Sequence, residues 1–290
     1  MTAQWVQLRG GETLVASRKG AWIQEPQAAA LELWGSMPPS QKGTLETTRH
    51  LLEGAMSAGE RVVTSRGQSG TAPTGAWPPS ARQWALDLVD QWYTAHHSVA
   101  LLPVAMKRYD SMRRPELVRF ARHKLEEETG HDRLPLNDLR ALGYDPAAVQ
   151  EVGPGATTRR LLLYARACVR GPRPVGFLGY IFVLERRVIR ITDEALRLLD
   201  GVLPDGIEAA SGVRAHILEF DAKHVGELVA FVTTLPADDR TAVALACHET
   251  AAIFAEAITA ESDRADLERE RRLTCLRKPT IEAKEPRSKS

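Results

Sequence analysis

Val175-Gly176-Phe177-Leu178-Gly179-Tyr180-Ile181-Phe182-Val183-Leu184-Glu185-Arg186-Arg187 is the stretch on which the reading of the fold turns. Its Phe, Ile and Val would suit a buried strand. The apolar pattern continues, however, through Val188, Ile189, Ile191, Ala195, Leu196 and Leu199, too long and too close to a 3.6-residue period for anything but a helix. One helix is therefore expected to run to about Leu199, with Gly176 and Gly179 allowing a neighbouring helix to pack closely. The run carries one acid, Glu185. A carboxylate there is costly to desolvate unless a metal, a proton or an opposite charge compensates it.

Upstream, Pro115 stands at the first turn of a helix whose stripe is Leu117, Phe120, Ala121, Leu125, Glu128 and His131, expected to continue past Leu139 to Gly143. Each helical residue advances about 100°, so Glu127 and Glu128 share a face with His131. Helical bundles use this Glu-x-x-His spacing to hold iron or manganese. Downstream, Ile207 to Leu235 reads as one helix in which Asp221 and His224 repeat the carboxylate and imidazole spacing, with His216, Glu219 and Glu227 nearby. Glu128/His131, Glu185 and Asp221/His224 thus sit on three apolar stripes, a set that matches a dinuclear iron or manganese site better than zinc. Each group also has a plain structural reading. His131 and His224 would be satisfied core histidines, Glu185 would pair with a buried Arg such as Arg166, and Asp221 would pair with Lys223 or Arg214 at the surface.

The remaining chain frames these segments. Its 290 residues are 43% hydrophobic, ample for a core, and a net charge of +1 gives no overall electrostatic reason to expect nucleic acid. No apolar run approaches the ~20 residues of a membrane span. Cys168, Cys247 and Cys275 show no CxxC spacing and no leader pattern opens the chain, so a reducing cytoplasm is expected. The first 25 or so residues read as an irregular or short-stranded arm. Pro26 starts a helix through Leu31, Leu33 and Trp34. A second runs from Gln41 to Met56 and closes at Gly59, and Arg61 to Pro79 is a loop or linker. Ser80 caps a long helix with Trp84, Leu88, Trp92 and His96 on one side, which Pro103 kinks or ends. Asp145-Pro146 begins a short helix, Thr157-Thr158 caps another, and Ala237-Asp238-Asp239 opens a last one to about Ala260. The expected organisation is all-α: an arm with two helices and a loop over 1–79, a metal-binding bundle over 80–262 and a charged tail over 263–290.

A resemblance joins these pieces. Glu126-Glu127-Glu128-Thr129-Gly130-His131-Asp132, Asp138 to Gly143, Gly179 to Glu185, and Phe220-Asp221-Ala222-Lys223-His224-Val225-Gly226-Glu227-Leu228 resemble, in order and spacing, the heme-oxygenase-like diiron oxidases and oxygenases. These iron-containing redox enzymes are related to the thiaminase-type all-α fold. The resemblance spans about residues 80–260 and implies a heme-oxygenase-like seven-helix bundle with an irregular N-terminal arm and a disordered C-terminal tail. It implies two labile Fe(II) per chain, O2 as co-substrate, an external electron donor and a small substrate: an amino acid, amine or fatty acid of secondary metabolism. The reactions implied are N-oxygenation, oxidative C–C cleavage and decarboxylation, with N-oxygenation preferred. By matched position the ligands would be Glu128, His131, Glu185, Asp221 and His224.

Two positions depart from the family pattern. Many members carry a further Glu where this chain has Lys124, and a His where it has Ile217, with His216 one step away; a bulged turn would bring His216 inward. Phe177, Tyr180 and Trp92 are expected either as a substrate wall or simply as core. Arg186, Arg187 and Arg190 would steer a substrate carboxylate or line a solvated helix edge. The alternative reading is a metal-free thiaminase-like or ligand-binding member of the same fold, using Cys168 or Cys247 as nucleophile, or a purely structural helical protein. Homodimerisation is expected from base rates alone.

Overall fold

A computed structural model describes residues 3–8, 11–24, 43–65, 80–219, 221–255 and 260–277. The helix expected from Pro26, most of the loop to Pro79 and the segment from 278 onward fall outside the described residues. The elements are strands β1 (Gln4–Gln7), β2 (Thr13–Ser17) and β3 (Gly20–Gln24), followed by helices α1 (Leu45–Ser65), α2 (Ala81–Ser111), α3 (Pro115–Glu128) and α4 (Arg133–Ala141). After a 3-10 turn at Pro146–Ala148 come α5 (Val149–Val152), α6 (Ala156–Arg170), α7 (Phe177–Val188) and α8 (Asp193–Val202). The described chain ends with α9 (Ser211–Glu219), α10 (Asp221–Thr234), α11 (Ala237–Ala255) and α12 (Ala260–Cys275).

The helices surround two hydrophobic cores. The first takes residues from α1, the second half of α2, α3, α6, α7, α10 and α11. The second takes Trp84, Leu88, Val89 and Trp92 from the first half of α2, with Leu139 from α4, Leu199 from α8, Val213 from α9 and Leu273 from α12. Helix α2 passes through both, unbroken at Pro103. Ser80 caps it, accepting from the Gln83 amide at 3.1 Å. The charged stretch beyond 263 remains helical to Cys275 and buries Leu273. No described helix is long and apolar enough to cross a membrane.

The N-terminal arm forms an antiparallel sheet with β2 in the middle, Trp5 opposite Val15 and Val15 opposite Trp22. Leu14, Val15 and Ala16 are buried, and the sheet lies on α1. The buried Gln4 secures it: its amide donates to Thr47 Oγ1 at 2.7 Å and its carbonyl accepts from Arg240 Nε at 2.7 Å. One side chain thus ties β1 to both α1 and α11.

Several expected helix limits move. Gly59 lies inside α1 rather than closing it, because α11 crosses there; an added Cβ would stand 2.2 Å from the His248 carbonyl oxygen. Gly179 serves the same purpose on α7, where a Cβ would stand 2.2 Å from the Val243 oxygen. The long helix expected from Pro115 to Gly143 is two helices, α3 and α4. Thr129 turns extended and Gly130 adopts φ +98°, a left-handed conformation that favours glycine. The helix expected to run to Leu199 also stops, at Val188. Thr192 then caps α8 through a bond from the Ala195 amide at 3.2 Å. Helix α6 starts after Gly155, so Thr158 is a buried residue of its first turn and not its cap.

Candidate metal centre

The buried stripe of α3 is Leu117, Ala121 and Lys124, and Glu128 continues it at the last helical position. An ammonium and a carboxylate therefore occupy places that helical periodicity assigns to core residues. Glu185 is buried on α7, one turn after Ile181, and His224 is buried near the start of α10. Glu128, Glu185 and His224 each offer one ligand atom, and these atoms lie within 4.8 Å of one another.

Lys124 stands inside this group with its side chain wholly withdrawn from solvent. Its Nζ is 2.8 Å from Glu127 Oε2 and 3.7 Å from Glu185 Oε1. His224 faces the same two acids, with Nε2 3.4 Å from Glu127 Oε1 and Nδ1 3.9 Å from Glu185 Oε2. Glu185 is consequently divided, one oxygen toward the ammonium and the other toward the imidazole. Sequence reasoning treats Lys124 only as a missing ligand and leaves Glu127 out of the ligand set. The signal for both was the position of Lys124 on the apolar stripe, one turn before Glu128 and three residues before Glu127.

His131 is off the helix, yet its Nδ1 lies 3.0 Å from Glu128 Oε2. The hydrogen bond and charge of Glu128 raise the His131 pKa against burial. Burial pushes the Glu128 carboxyl upward, but the His131 bond and charge, the Lys124 charge and a hydrogen bond with Glu185 together hold it below its ordinary range. Burial first, then the Lys124 ammonium, lowers the His224 pKa, with Glu127, Glu128 and Glu227 opposing. His224 is thereby held neutral, the form a metal requires. A second, more exposed group, His123, Glu127 and Glu227, adjoins the first through Glu127, which also faces Lys124 and His224. There His123 Nε2 is 3.1 Å from Glu127 and 3.6 Å from Glu227.

The side chains of Asp221 and His216 lie outside the described residues. Glu185 neighbours Lys124, and Arg214 bonds Asp200 at 2.6 Å. Phe177 and Tyr180 are buried in the first core, stacked 5.7 Å apart, with the Tyr180 hydroxyl 3.3 Å from Ser98 Oγ. Trp92 belongs to the second core and stacks on His96, whose Nδ1 is 3.0 Å from Asp132. The arginines after Glu185 bind the molecule's own groups: Arg186 pairs with Glu53, Arg190 with Glu60, and Arg187 lies 4.1 Å over the Phe254 ring. Burial pushes the Cys168 thiol up to about 11, against a hydrogen bond with Tyr164. Burial also raises Cys247, which donates to the Gly179 carbonyl at 3.5 Å.

No family model matches this sequence, and no curated protein matches it. Among solved structures, the chain is similar to a domain of unknown function with a heme oxygenase-like fold from Shewanella denitrificans OS217. The two are 19% identical with a TM-score of 0.61, over 75% of this chain and 91% of the other. The fold is therefore all-α and heme oxygenase-like, and the His and Glu groups described above are candidate metal sites within it.

Proposed function

We propose that this chain is a metal-dependent oxidoreductase that uses O2 to oxidise a small amine or amino-acid-derived metabolite, with its metal on Glu128, Glu185 and His224. The observation that carries this reading is the meeting of those three ligand atoms within 4.8 Å, drawn from three helices, with Glu185 and His224 buried. Two carboxylates and one imidazole suit first-row divalent ions such as Fe(II) or Mn(II), and three protein ligands leave coordination positions open. A bound redox-active ion supplies the one-electron chemistry through which O2 reacts with an organic substrate.

The residues prepare that chemistry in distinct ways. His224 is kept unprotonated by burial and by Lys124. His131 holds the orientation of Glu128 through the proton on Nδ1. The surrounding core buries Glu185 and His224 and leaves Glu128 partly exposed. The substrate class follows the family that the sequence motifs resemble. Anaerobic loading with Fe(II) is expected to raise the melting temperature, and admitting O2 with candidate amines to give O2 uptake. Both responses should vanish in His224→Ala. A melting temperature indifferent to Fe(II) and Mn(II) in the unaltered chain would overturn the proposal, since a ligand that binds only the folded state must raise it.

A second reading is a metal-free ligand-binding member of the fold. It is favoured by Lys124, whose ammonium already compensates Glu127 and Glu185 in part. Its thiol-nucleophile form is disfavoured, because the environments of Cys168 and Cys247 both stabilise the thiol over the reactive thiolate.

A further inference from the structure

We infer that the Lys124 ammonium is a built-in cation occupying the place of a second metal, so that the centre holds one divalent ion per chain and not a pair. This rests on the reading of Glu128, Glu185 and His224 as metal ligands and adds the number of ions and what sets it. Lys124 lies on the buried stripe of α3 one turn before Glu128, and its Nζ sits between Glu127 at 2.8 Å and Glu185 at 3.7 Å. Its side chain has no exposed surface, so carrying its charge into water when a metal enters would require the surrounding packing to open.

The charge balance of the described side chains agrees. Once a metal displaces the proton shared by Glu128 and Glu185, with His131 neutral and the outer Glu227 matched by Lys223 at 3.7 Å, Glu127, Glu128 and Glu185 bring three negative charges and Lys124 one positive, which leaves two for a metal to neutralise. One divalent ion closes that balance. A second would leave an excess of two positive charges around a buried ammonium, a heavy penalty away from water. The ligands are divided accordingly. Glu185 turns Oε1 to Lys124 and Oε2 to His224, so the ammonium takes the side of this carboxylate that a bridging role between two ions would need. Glu127, drawn to Lys124, is likewise engaged on its Oε2 side. Among the described residues, the buried donors Glu128, Glu185 and His224 therefore fit a single ion, while the second candidate group, His123, Glu127 and Glu227, is the more exposed one and has its Glu127 engaged by Lys124.

The test is the number of metal ions bound by the full-length chain. Wild type, Lys124→Glu and Lys124→Met are titrated anaerobically with Mn(II), and bound metal is counted by equilibrium dialysis with elemental analysis, with circular dichroism to verify folding. The expected result is one ion per chain in wild type and two in Lys124→Glu. Lys124→Met, close in length and uncharged, should bind the first ion at least about tenfold more tightly, because a like charge a few ångström away has been removed. Two ions in wild type, one ion in a folded Lys124→Glu, or unchanged affinity in Lys124→Met would each overturn the inference. If Lys124→Glu does not fold, the wild-type count and the Lys124→Met affinity still decide it. Zero ions in all three would instead remove the metal reading itself, a failure distinct from a count of two.

Discussion

His131 and Glu128 show how much one hydrogen bond does at this centre. The raised pKa of His131 means that its pairing stabilises the fold fully below the unfolded value of 6.5 and is lost as pH rises through the folded value. The depressed Glu128 contributes above its unfolded value of 4.5 and is lost as pH falls through the folded one. The pair is therefore most stabilising in the metal-free protein between those two values. Comparing urea midpoints of wild type and His131→Asn from pH 5 to 9 should show the largest gap near the acid end, shrinking toward alkaline pH. A gap that does not change with pH would mean that packing, and not charge, holds His131. His224 behaves oppositely, since burial and Lys124 favour its neutral form. For that reason His224→Ala should abolish the Fe(II)-induced rise in melting temperature while leaving the metal-free protein folded.

At the scale of elements, close helix approach positions Glu185. Helix α11 runs against α1 at Gly59 and against α7 at Gly179, in each case so near that a Cβ would stand 2.2 Å from a backbone oxygen. Gly→Ala inside a helix ordinarily gains about 0.5–1 kcal/mol. Here the clash should reverse the sign. Gly59→Ala is expected to lose about 1–3 kcal/mol, as overpacking does, lowering the melting temperature by roughly 2–10 °C. Gly226→Ala on α10, where an added Cβ meets nothing within 4 Å, should keep the ordinary gain. Calorimetry on the two variants checks the contrast, and a stabilised Gly59→Ala would mean that the α1 and α11 crossing is looser than described. Two helix limits followed from local chemistry that periodicity hides. Gly130 ends α3 despite the apolar stripe beyond it, and Thr192 restarts the chain as α8.

Across the whole molecule, the N-terminal sheet belongs to the core of the bundle through Gln4. Gln4→Ala deletes bonds to Thr47, Thr48 and the guanidinium of Arg240. Hydrogen bonds to buried charged groups are worth about 1.5–3 kcal/mol, so equilibrium urea unfolding should register a loss of that size in one cooperative transition. A loss below ~0.5 kcal/mol would mean that the arm is a loose appendage, since surface substitutions fall in that range. The sequence suggested an arm because strands this short carry too few residues for a convincing two-residue period.

The chain's own sequence was sufficient for the all-α class, the apolar helix around Glu185 and the order of acid and imidazole motifs, because these follow from periodicity and local spacing along one strand of polypeptide. It also marked Lys124 as unusual. What Lys124 does was decided only by tertiary structure: Glu127 is its neighbour on α3, but Glu185 and His224 arrive from helices far along the chain. Whether an ammonium among carboxylates is a missing ligand or a resident cation depends on distances and on the exclusion of water. Those quantities come into being when separate helices pack, and no spacing within one of them contains them.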